Sequence, residues 1–471
     1  DVTLESITAG NANVAITAAG NIVDRDAAGD SGVDITAAGL ILSAGVGIGA
    51  GANHLETSVN TLTASAGAGG VYVSEADGVT VSNLTVAVNR VGTDASVLAT
   101  TVTQEDLIVS GAGNLVLVSV LGDVVVNAGV TAGAVSLQTG NSLIQATAGA
   151  LTFNAALAAS GGHISLRAGS TLSQGEAGDI STTGVGTIGV QANVISMADG
   201  ATSTTGMGNI RYAAVGTLTL GALSTGGDVS LSASSISDAG SSGTDSVNVT
   251  ADELRLVTTG VANGNGVGTG ANHLEVSVTR LAASVQGTGT GGLYVSESDG
   301  VQVGTLSAIN VNQVGSDAVV TASTDAAQSD LVSASSLVLV TLAGSLTSES
   351  AGGAISAAGN TLLQALGATS DITLGGELSN TAGHTSVDAA RSVVQNANIT
   401  ATGAGKTVDV LAGISITMGT GAAIATQDGN VVLTAGAGDV TLESITAGNA
   451  NVAITAGGSI VDRDTAGDGG V

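Results

Sequence analysis

Carboxylates that recur in short loops are the residues of this chain best suited to chemistry. Three aspartates fall within seven residues around a glycine, and three more occupy the same places in a second copy of that loop. They are Asp24, Asp26 and Asp30, and Asp462, Asp464 and Asp468. Converging carboxylates suit Ca²⁺, which takes six to eight oxygen ligands, but the spacing differs from that of an EF-hand loop. The alternative is a solvated turn in which aspartates accept hydrogen bonds from nearby N–H groups.

Two further acidic loops, SEADG at residues 74–78 and SESDG at residues 296–300, carry two carboxylates each. Two carboxylates supply fewer oxygens than Ca²⁺ requires, so these loops are weaker candidates for an ion site. The calcium prediction therefore stands on the three-aspartate loop.

The histidines are predicted to be structural. His54 and His273 each stand in the sequence GANHLE, at equivalent places in two related segments, and His163 and His384 come directly before strand-like segments. A lone histidine beside a glutamate is a conceivable ligand or base. No Ser/His/Asp set or second histidine lies near His54 or His273 in the sequence. A turn hydrogen bond is the favoured role for them, and His163 and His384 are expected to be turn residues.

Tyr72 and Tyr294 are also equivalent, and alternation with their Val and Leu neighbours predicts that they face outward. An exposed tyrosine repeated in this way suits contact with a sugar or a neighbouring filament, although strand propensity explains it equally well. Enzymes that cleave glycosidic bonds need paired carboxylates, usually with aromatic platforms for the sugar. This chain has no Trp, one Phe, three Tyr and a single lysine, Lys406. We therefore predict that it is not an enzyme.

The elements that must position these residues are short alternating strands. Segments such as Val-Ser-Leu at 135–137 and 229–231 recur between clusters of Gly, Asn, Asp and Ser, and no helical periodicity persists. Neighbouring segments start roughly 16 to 22 residues apart, as solenoid coils do. The chain has 72 Gly and no Pro, which would delete ladder hydrogen bonds in central strands. We predict an all-β fold: a single-chain parallel β-helix, or β-solenoid, forming an elongated rod of roughly 20 coils with two or three strands each.

Tandem repetition organises the chain. Residues 439–471 repeat residues 1–33 with four substitutions, an offset of 438 residues (Asp439 against Asp1). Within that period GANHLE recurs after 219 residues (Gly270 against Gly51). Self-similarity at fixed periods is typical of repeat architectures. We predict a first half-repeat at 1–216, a second at 217–438 and the start of the next tandem copy at 439–471.

Composition excludes several classes of protein. The net charge is −29, with nine basic residues, which excludes a nucleic-acid-binding surface. Hydrophobic residues make up 43% and charged residues 10%, which disfavours disorder. No apolar run is long enough to span a membrane as a helix. Cysteine is absent, so there is neither a disulfide nor a thiolate metal site. Aromatic residues are 1%, and Ala, Ser and Thr suit a coil too tight for rings.

The glycine-led strands GDVTLES, GDVSLSA, GHISLRAG and GNVVLTAG, at Gly438, Gly227, Gly162 and Gly429, resemble the repeat region of giant bacterial surface proteins of the filamentous-haemagglutinin-like class. The resemblance covers essentially the whole chain and lies in the style of the repeat. It implies a right-handed β-helix that is exported across two membranes. It also implies a role in adhesion, cell contact or a surface coat.

Together these observations predict a structural segment of an extracellular or cell-surface β-solenoid that forms a fibre, stalk or filament. Its partners are then other copies of itself, end to end or side by side. The alternative is an adhesin-type module whose loops recognise a glycan or a receptor. Calcium is the one cofactor that the acidic loops suggest.

Overall fold

Strands account for the regular structure of this protein. A computed structural model describes residues 1–26, 32–127, 135–137, 140–241 and 246–463. Within those ranges no helix is present. The chain divides into two compact units: the first comprises Asp1–Gly227 with Asn310–Thr324, and the second comprises Asp228–Ile309 with Asp325–Val471.

Each unit is a parallel β-solenoid. Most coils contribute three short strands, and each strand pairs in parallel with the strand three places further along the chain. In one such ladder Ile164 pairs with Ile188, and Ile188 pairs with Ile210. The strands form about 19 solenoid turns. The predicted all-β parallel solenoid and its three-stranded coils are thus confirmed.

Alternation along each strand places apolar side chains in the bore. Leu166, Val190 and Tyr212 stack on successive coils, and all three are fully buried. The bore is wider than composition suggested, because the rings of Phe153 and Tyr212 both lie completely inside it. The Tyr212 hydroxyl is satisfied by the Ser203 hydroxyl at 2.6 Å. The expectation that the coil is too tight for rings is therefore wrong at these two coils.

In the first unit the solenoid strands are Val2–Leu4, Ile7–Thr8, Asn13–Ala18, Ile22–Asp24, Ile35–Ala44, Gly47–Ile48, Leu55–Ala66, Gly70–Glu75, Val79–Val81, Leu107–Val109, Leu115–Ser119, Val124–Val126, Val135–Leu137, Ser142–Ala146, Leu151–Phe153, Leu157–Ala159, Ile164–Ala168, Thr171–Gln174, Ile180–Ser181, Ile188–Ala192, Val194–Met197, Thr202–Thr204, Ile210–Ala214, Thr217–Leu220 and Ala222–Ser224.

In the second unit they are Val229–Ala233, Ser235–Asp238, Val249–Thr258, Leu274–Val285, Gly292–Glu297, Val301–Val303, Leu331–Ser333, Ser336–Thr341, Leu346–Ser348, Ile355–Ala357, Thr361–Ala365, Ile372–Leu374, Leu378–Asn380, Thr385–Ala389, Val393–Gln395, Ile399–Ala401, Val408–Ala412, Ile416–Met418, Ala423–Thr426, Val431–Ala435, Val440–Leu442, Ser444–Thr446, Val452–Ala456 and Ile460–Asp462.

Two β-hairpins leave the solenoid ladders. The first hairpin consists of Leu84–Val91 and Val97–Gln104, paired antiparallel. The second consists of Ile309–Val314 and Val320–Asp325, which form a separate two-stranded sheet. Residues 310–324 of the second hairpin belong to the first compact unit, although the chain on both sides of them belongs to the second.

Candidate functional site

The acidic loop begins as a capped turn. Asp24 is buried at the end of the strand Ile22–Asp24, and its Oδ1 accepts a hydrogen bond of 2.9 Å from the Asp26 backbone N–H. Asp26 is exposed, and Asp462 ends an exposed strand near the end of the chain. Asp30, Asp464 and Asp468 lie outside the described residues, so the calcium prediction for this loop stays a prediction.

The fold brings two other carboxylates to Asp24. Asp34 precedes the strand Ile35–Ala44 and Glu56 lies in the next coil, in Leu55–Ala66. One carboxylate oxygen from each of Asp24, Asp34 and Glu56 lies within 4.8 Å of the others. The Glu56 N–H donates to Asp34 Oδ2 at 2.9 Å, and Asn53 Nδ2 donates to Asp24 Oδ2 at 2.8 Å. Of the acidic residues discussed from sequence, only Asp24 belongs to this cluster.

The crowding of these carboxylates changes their chemistry. Burial, supported by the nearby charge of Asp24, raises the pKa of Asp34 to about 6. At neutral pH two ionised carboxylates therefore face each other in a partly dry environment, whereas below pH 6 a proton on Asp34 relieves the repulsion. A divalent cation bound by the same oxygens would relieve it as well.

The second unit contains the same arrangement with one charge removed. Asp238, Asn248 and Asn272 occupy the places of Asp24, Asp34 and Asn53. Asn272 Nδ2 donates to Asp238 Oδ2 at 2.9 Å, and the Gly240 N–H donates to Asp238 Oδ1 at 2.9 Å, as in the first unit. Asn248 Nδ2 donates to Asp238 Oδ1 at 2.7 Å, so an amide hydrogen bond replaces the repulsion between two carboxylates. The second unit thus keeps the capped turn with an asparagine in the place of Asp34.

The SEADG and SESDG loops each hold a buried carboxyl rather than a solvated pair. Glu75 is fully buried and accepts hydrogen bonds from the Thr57 hydroxyl at 2.6 Å and the Val59 N–H at 3.0 Å. Burial, reinforced by Asp77, raises the pKa of Glu75 to about 8. The hydrogen bond from Glu75 lowers the pKa of Asp77. This pair therefore shares a proton at neutral pH.

Glu297 repeats this arrangement in the second unit. It is fully buried and accepts from the Val278 N–H, and burial together with Asp299 raises its pKa to about 9. Alternation along the strand places Glu75 in phase with the buried Val71 and Val73, but the polar composition of SEADG and SESDG suggested an exposed turn instead.

The histidines form structural hydrogen bonds, as predicted for His54. His163 Nδ1 lies 3.1 Å from the Thr187 hydroxyl, and His384 Nδ1 lies 2.9 Å from that of Thr407, one coil further on. Desolvation lowers the pKa of His163. His54 Nε2 lies 2.9 Å from the Ser316 carbonyl, in the turn of the second hairpin.

The second hairpin covers a groove on the outer face of the first unit. Val314 and Ala318 pack with Tyr72, Val116 and Leu143 in one buried cluster. Tyr72 thus points away from the bore, as predicted, but the hairpin buries it.

Polar contacts continue along the same groove. Ser165 Oγ accepts from the Val314 N–H at 2.8 Å, and Arg167 donates to Gln313 Oε1 at 3.2 Å. His163 Nε2 lies 3.1 Å from Asn312 Nδ2. The hairpin is therefore attached across several successive coils by both apolar and polar contacts.

Comparison with known proteins adds no identity. No family model, no curated protein and no solved structure matches this chain. The resemblance to filamentous-haemagglutinin-like proteins is thus supported only at the level of a β-solenoid. Among the described residues, no helix has the length and apolar character needed to cross a membrane.

Proposed function

We propose that this chain is a structural segment of a repetitive extracellular β-solenoid that forms a rigid fibre, stalk or filament on a bacterial surface. The observation that carries the proposal is the in-register parallel stacking of the described strands within each unit. Most coils repeat three short strands around an apolar bore, so a further coil extends the ladders without changing the cross-section. The sequence repeats accordingly, with 439–471 restarting the pattern of 1–33.

The expected mechanism is mechanical. The chain has about 19 turns in 471 residues, which corresponds to about 18 turns per 438-residue copy. With stacked strands about 4.8 Å apart, each copy adds a length on the order of 85 Å. The net charge of −29 favours solubility and opposes side-by-side association of identical rods. The resemblance to exported bacterial repeats and the absence of cysteine agree with a position outside the cell.

Electron microscopy of chains that contain one, two and three copies tests this function. We expect constant width and a constant increase in length of roughly 85 Å per copy. A particle that becomes wider instead of longer would rule out the spacer. The one-copy chain serves as the reference for width.

A second candidate function, glycan recognition, is favoured by one groove of the first unit. It has a volume of about 550 Å³ and is lined by Gln145, Arg167, Gln191 and Asn193, whose amide and guanidinium groups suit sugar hydroxyls. Saturable binding to a glycan array that is lost in Gln145→Ala would support it. Gln364→Ala, at the equivalent place in the second unit, is the matched control. Absence of binding to the array would count against this candidate.

A further inference from the structure

The two hairpins are copies of one element. Residues 86–95 and 309–318 can be aligned without a gap and are identical at six of ten positions. Their turns have the same hydrogen bond, from the Gly92 N–H to the Ser96 carbonyl and from the Gly315 N–H to the Val319 carbonyl, both 2.8 Å. Ala95 and Ala318 have nearly the same positive φ, 61° and 63°. The same backbone is therefore presented in two different environments.

Burial separates the two hairpins. Val311 is fully buried, whereas its equivalent Val88 is 63% exposed. The first hairpin is anchored near its base, where Gln104 Nε2 donates to the Leu42 carbonyl at 3.0 Å and Asn13 Nδ2 donates to the Thr85 carbonyl at 3.4 Å. Contiguous exposed apolar side chains are a signature of an interaction surface.

The second unit has a groove at the positions that the second hairpin covers in the first unit. Tyr294, Val338 and Leu362 are the equivalents of Tyr72, Val116 and Leu143. All three are half-buried, whereas their counterparts under the second hairpin are buried. They line a groove of about 440 Å³ together with His384 and Ser386, the equivalents of His163 and Ser165.

Charge supports the same match. In the first unit Arg167 donates to Gln313 of the docked hairpin. In the second unit Asp388 stands in the place of Arg167, and in the first hairpin Arg90 stands in the place of Gln313. In this combination the basic residue is on the hairpin and the acidic residue is in the groove. The exchange pairs opposite charges when the first hairpin meets the second unit's groove, and would place two cations together in the first unit's groove.

One position differs in size. Gly189 lies under Val311 in the first unit, and Asp409 stands in its place in the second unit. Burial and the charge of Asp388 raise the pKa of Asp409, so an arriving guanidinium would stabilise both carboxylates. A docked first hairpin would contact the Asp409 side chain at this point. Its Arg90 would lie near the two carboxylates of Asp388 and Asp409.

We propose that the groove of the second unit is the docking site for the first hairpin of a second copy of this repeat, the copy that follows in tandem. In a chain that continues with another copy, the number of residues between Tyr294 and that hairpin is nearly the same as the number between Tyr72 and Val314. Each hairpin then reaches back across the preceding half-repeat and fastens it. This proposal adds to the structural function but rests on the tandem repetition, not on the formation of a fibre.

The test uses a chain of two copies, residues 1–438 followed by residues 1–471, which has no native cysteine. Val338→Cys in the first copy and Val91→Cys in the second place thiols at the proposed contact. Val116→Cys with Val314→Cys, in the groove already occupied, is the matched positive control. Under mild oxidation or with a short thiol crosslinker, we expect both pairs to form one intramolecular link.

The control decides how a negative result is interpreted. A linked control with an unlinked Val91/Val338 pair would overturn the proposal. Failure of both pairs would also overturn it, because docking in the first unit is its basis. Circular dichroism of each variant verifies folding. Particles that become wider instead of longer in electron microscopy would refute the structural function and leave the crosslink unaffected, so the two failures are distinguishable.

A charge exchange provides a second test. Arg90→Asp in the second copy should slow the crosslink at least several-fold. Asp388→Arg in the first copy should restore it when the two are combined. Equal rates in all variants would remove the electrostatic part of the argument and contradict the assignment of Arg90 to this groove.

Hydrogen exchange of the unmodified two-copy chain tests docking without any substitution. The peptide that spans residues 84–104 is identical in the two copies. We expect two populations, one fast from the first copy and one protected from the second. A single fast population would contradict docking.

Discussion

Val91 and Val314 occupy the same position in two copies of one hairpin, but Val91 is 66% exposed and Val314 is fully buried. The difference arises from what lies beneath each hairpin. Under Val314 the side chains of Tyr72, Val116 and Leu143 complete a small apolar core on the outside of the solenoid. A valine at the same position of the hairpin therefore makes a different energetic contribution in the two places.

Truncation of these two valines should have unequal effects. Val314→Ala removes buried methyl groups and should lower the free energy of unfolding of the first unit by about 2 kcal/mol. Val91→Ala, the matched control, should change it by less than about 0.5 kcal/mol in the single-copy chain. Urea denaturation followed by circular dichroism measures both. Equal losses would mean that the second hairpin is not packed as described.

A branched apolar side chain in the place of Gly189 should displace the second hairpin. A Cβ at this position would meet Val311 Cγ1 at 3.2 Å, and the larger Gly189→Val side chain has no space there. We expect the hairpin to detach and residues 309–325 to lose protection in hydrogen exchange, while the solenoid strands keep theirs. Asp409→Val places the same side chain at the equivalent coil position of the second unit and should leave exchange of 309–325 unchanged.

The buried glutamates should make the protein less stable as pH rises. The pKa of Glu75 is about 8 and that of Glu297 about 9 in the folded state, against 4.5 in the unfolded chain. The folded state therefore binds more protons between these values. Stability falls as pH increases from about 4.5 to about 9, by at most about 5 kcal/mol for Glu75 and about 6 kcal/mol for Glu297.

Melting temperatures measured from pH 5 to pH 9 examine this dependence. Glu75→Gln cannot ionise and should flatten the pH profile, so that the variant melts at a higher temperature than the parent at pH 9. Glu377→Gln, at an exposed residue, is the control and should follow the parent. A parent protein that becomes more stable at alkaline pH would contradict the shared-proton arrangement.

The solenoid could be predicted from the sequence because the alternation that specifies each strand is local. Alternation in segments such as residues 164–168, bounded by glycines, predicts a strand with one buried face whatever its partner is. The groove against which the second hairpin packs could not be predicted in this way. Asn312 meets His163 across 149 residues of chain, and no local pattern encodes that contact.

The carboxylate cluster was missed for a related reason. Asp34 and Glu56 are 22 residues apart, and they become neighbours only when the length of the intervening coil fixes the register. The sequence-based proposal grouped Asp24 with Asp26 and Asp30 because they are close in sequence. In the structure Asp24 also lies beside Asp34 and Glu56, which are distant in sequence.

The effect of Ca²⁺ on the melting temperature distinguishes the two interpretations of the acidic loop, an ion site and a capped turn. Calcium binding through Asp24, Asp26 and Asp30 predicts that millimolar Ca²⁺ raises the melting temperature of the first unit and that EDTA reverses the change. The capped turn predicts identical melting with Ca²⁺ and with EDTA. Asp24→Asn keeps an acceptor for the Asp26 N–H while removing a charge, so it should abolish any response to calcium and leave the turn intact.

Asp34 provides the sharpest test of the cluster because the second unit already carries the substitution. The folded pKa of about 6 lies above the ordinary 3.8, so ionisation of Asp34 destabilises the first unit as pH rises from about 4 to about 6. Asp34→Asn should donate to Asp24 as Asn248 donates to Asp238, and should stabilise the first unit at pH 7.5 by on the order of 2 kcal/mol. Asn248→Asp is the reciprocal control and should destabilise the second unit above pH 6. Thermal melts of both variants at pH 5 and pH 7.5 distinguish repulsion from a bound cation, because a cation-stabilised cluster would instead be weakened by Asp34→Asn at neutral pH.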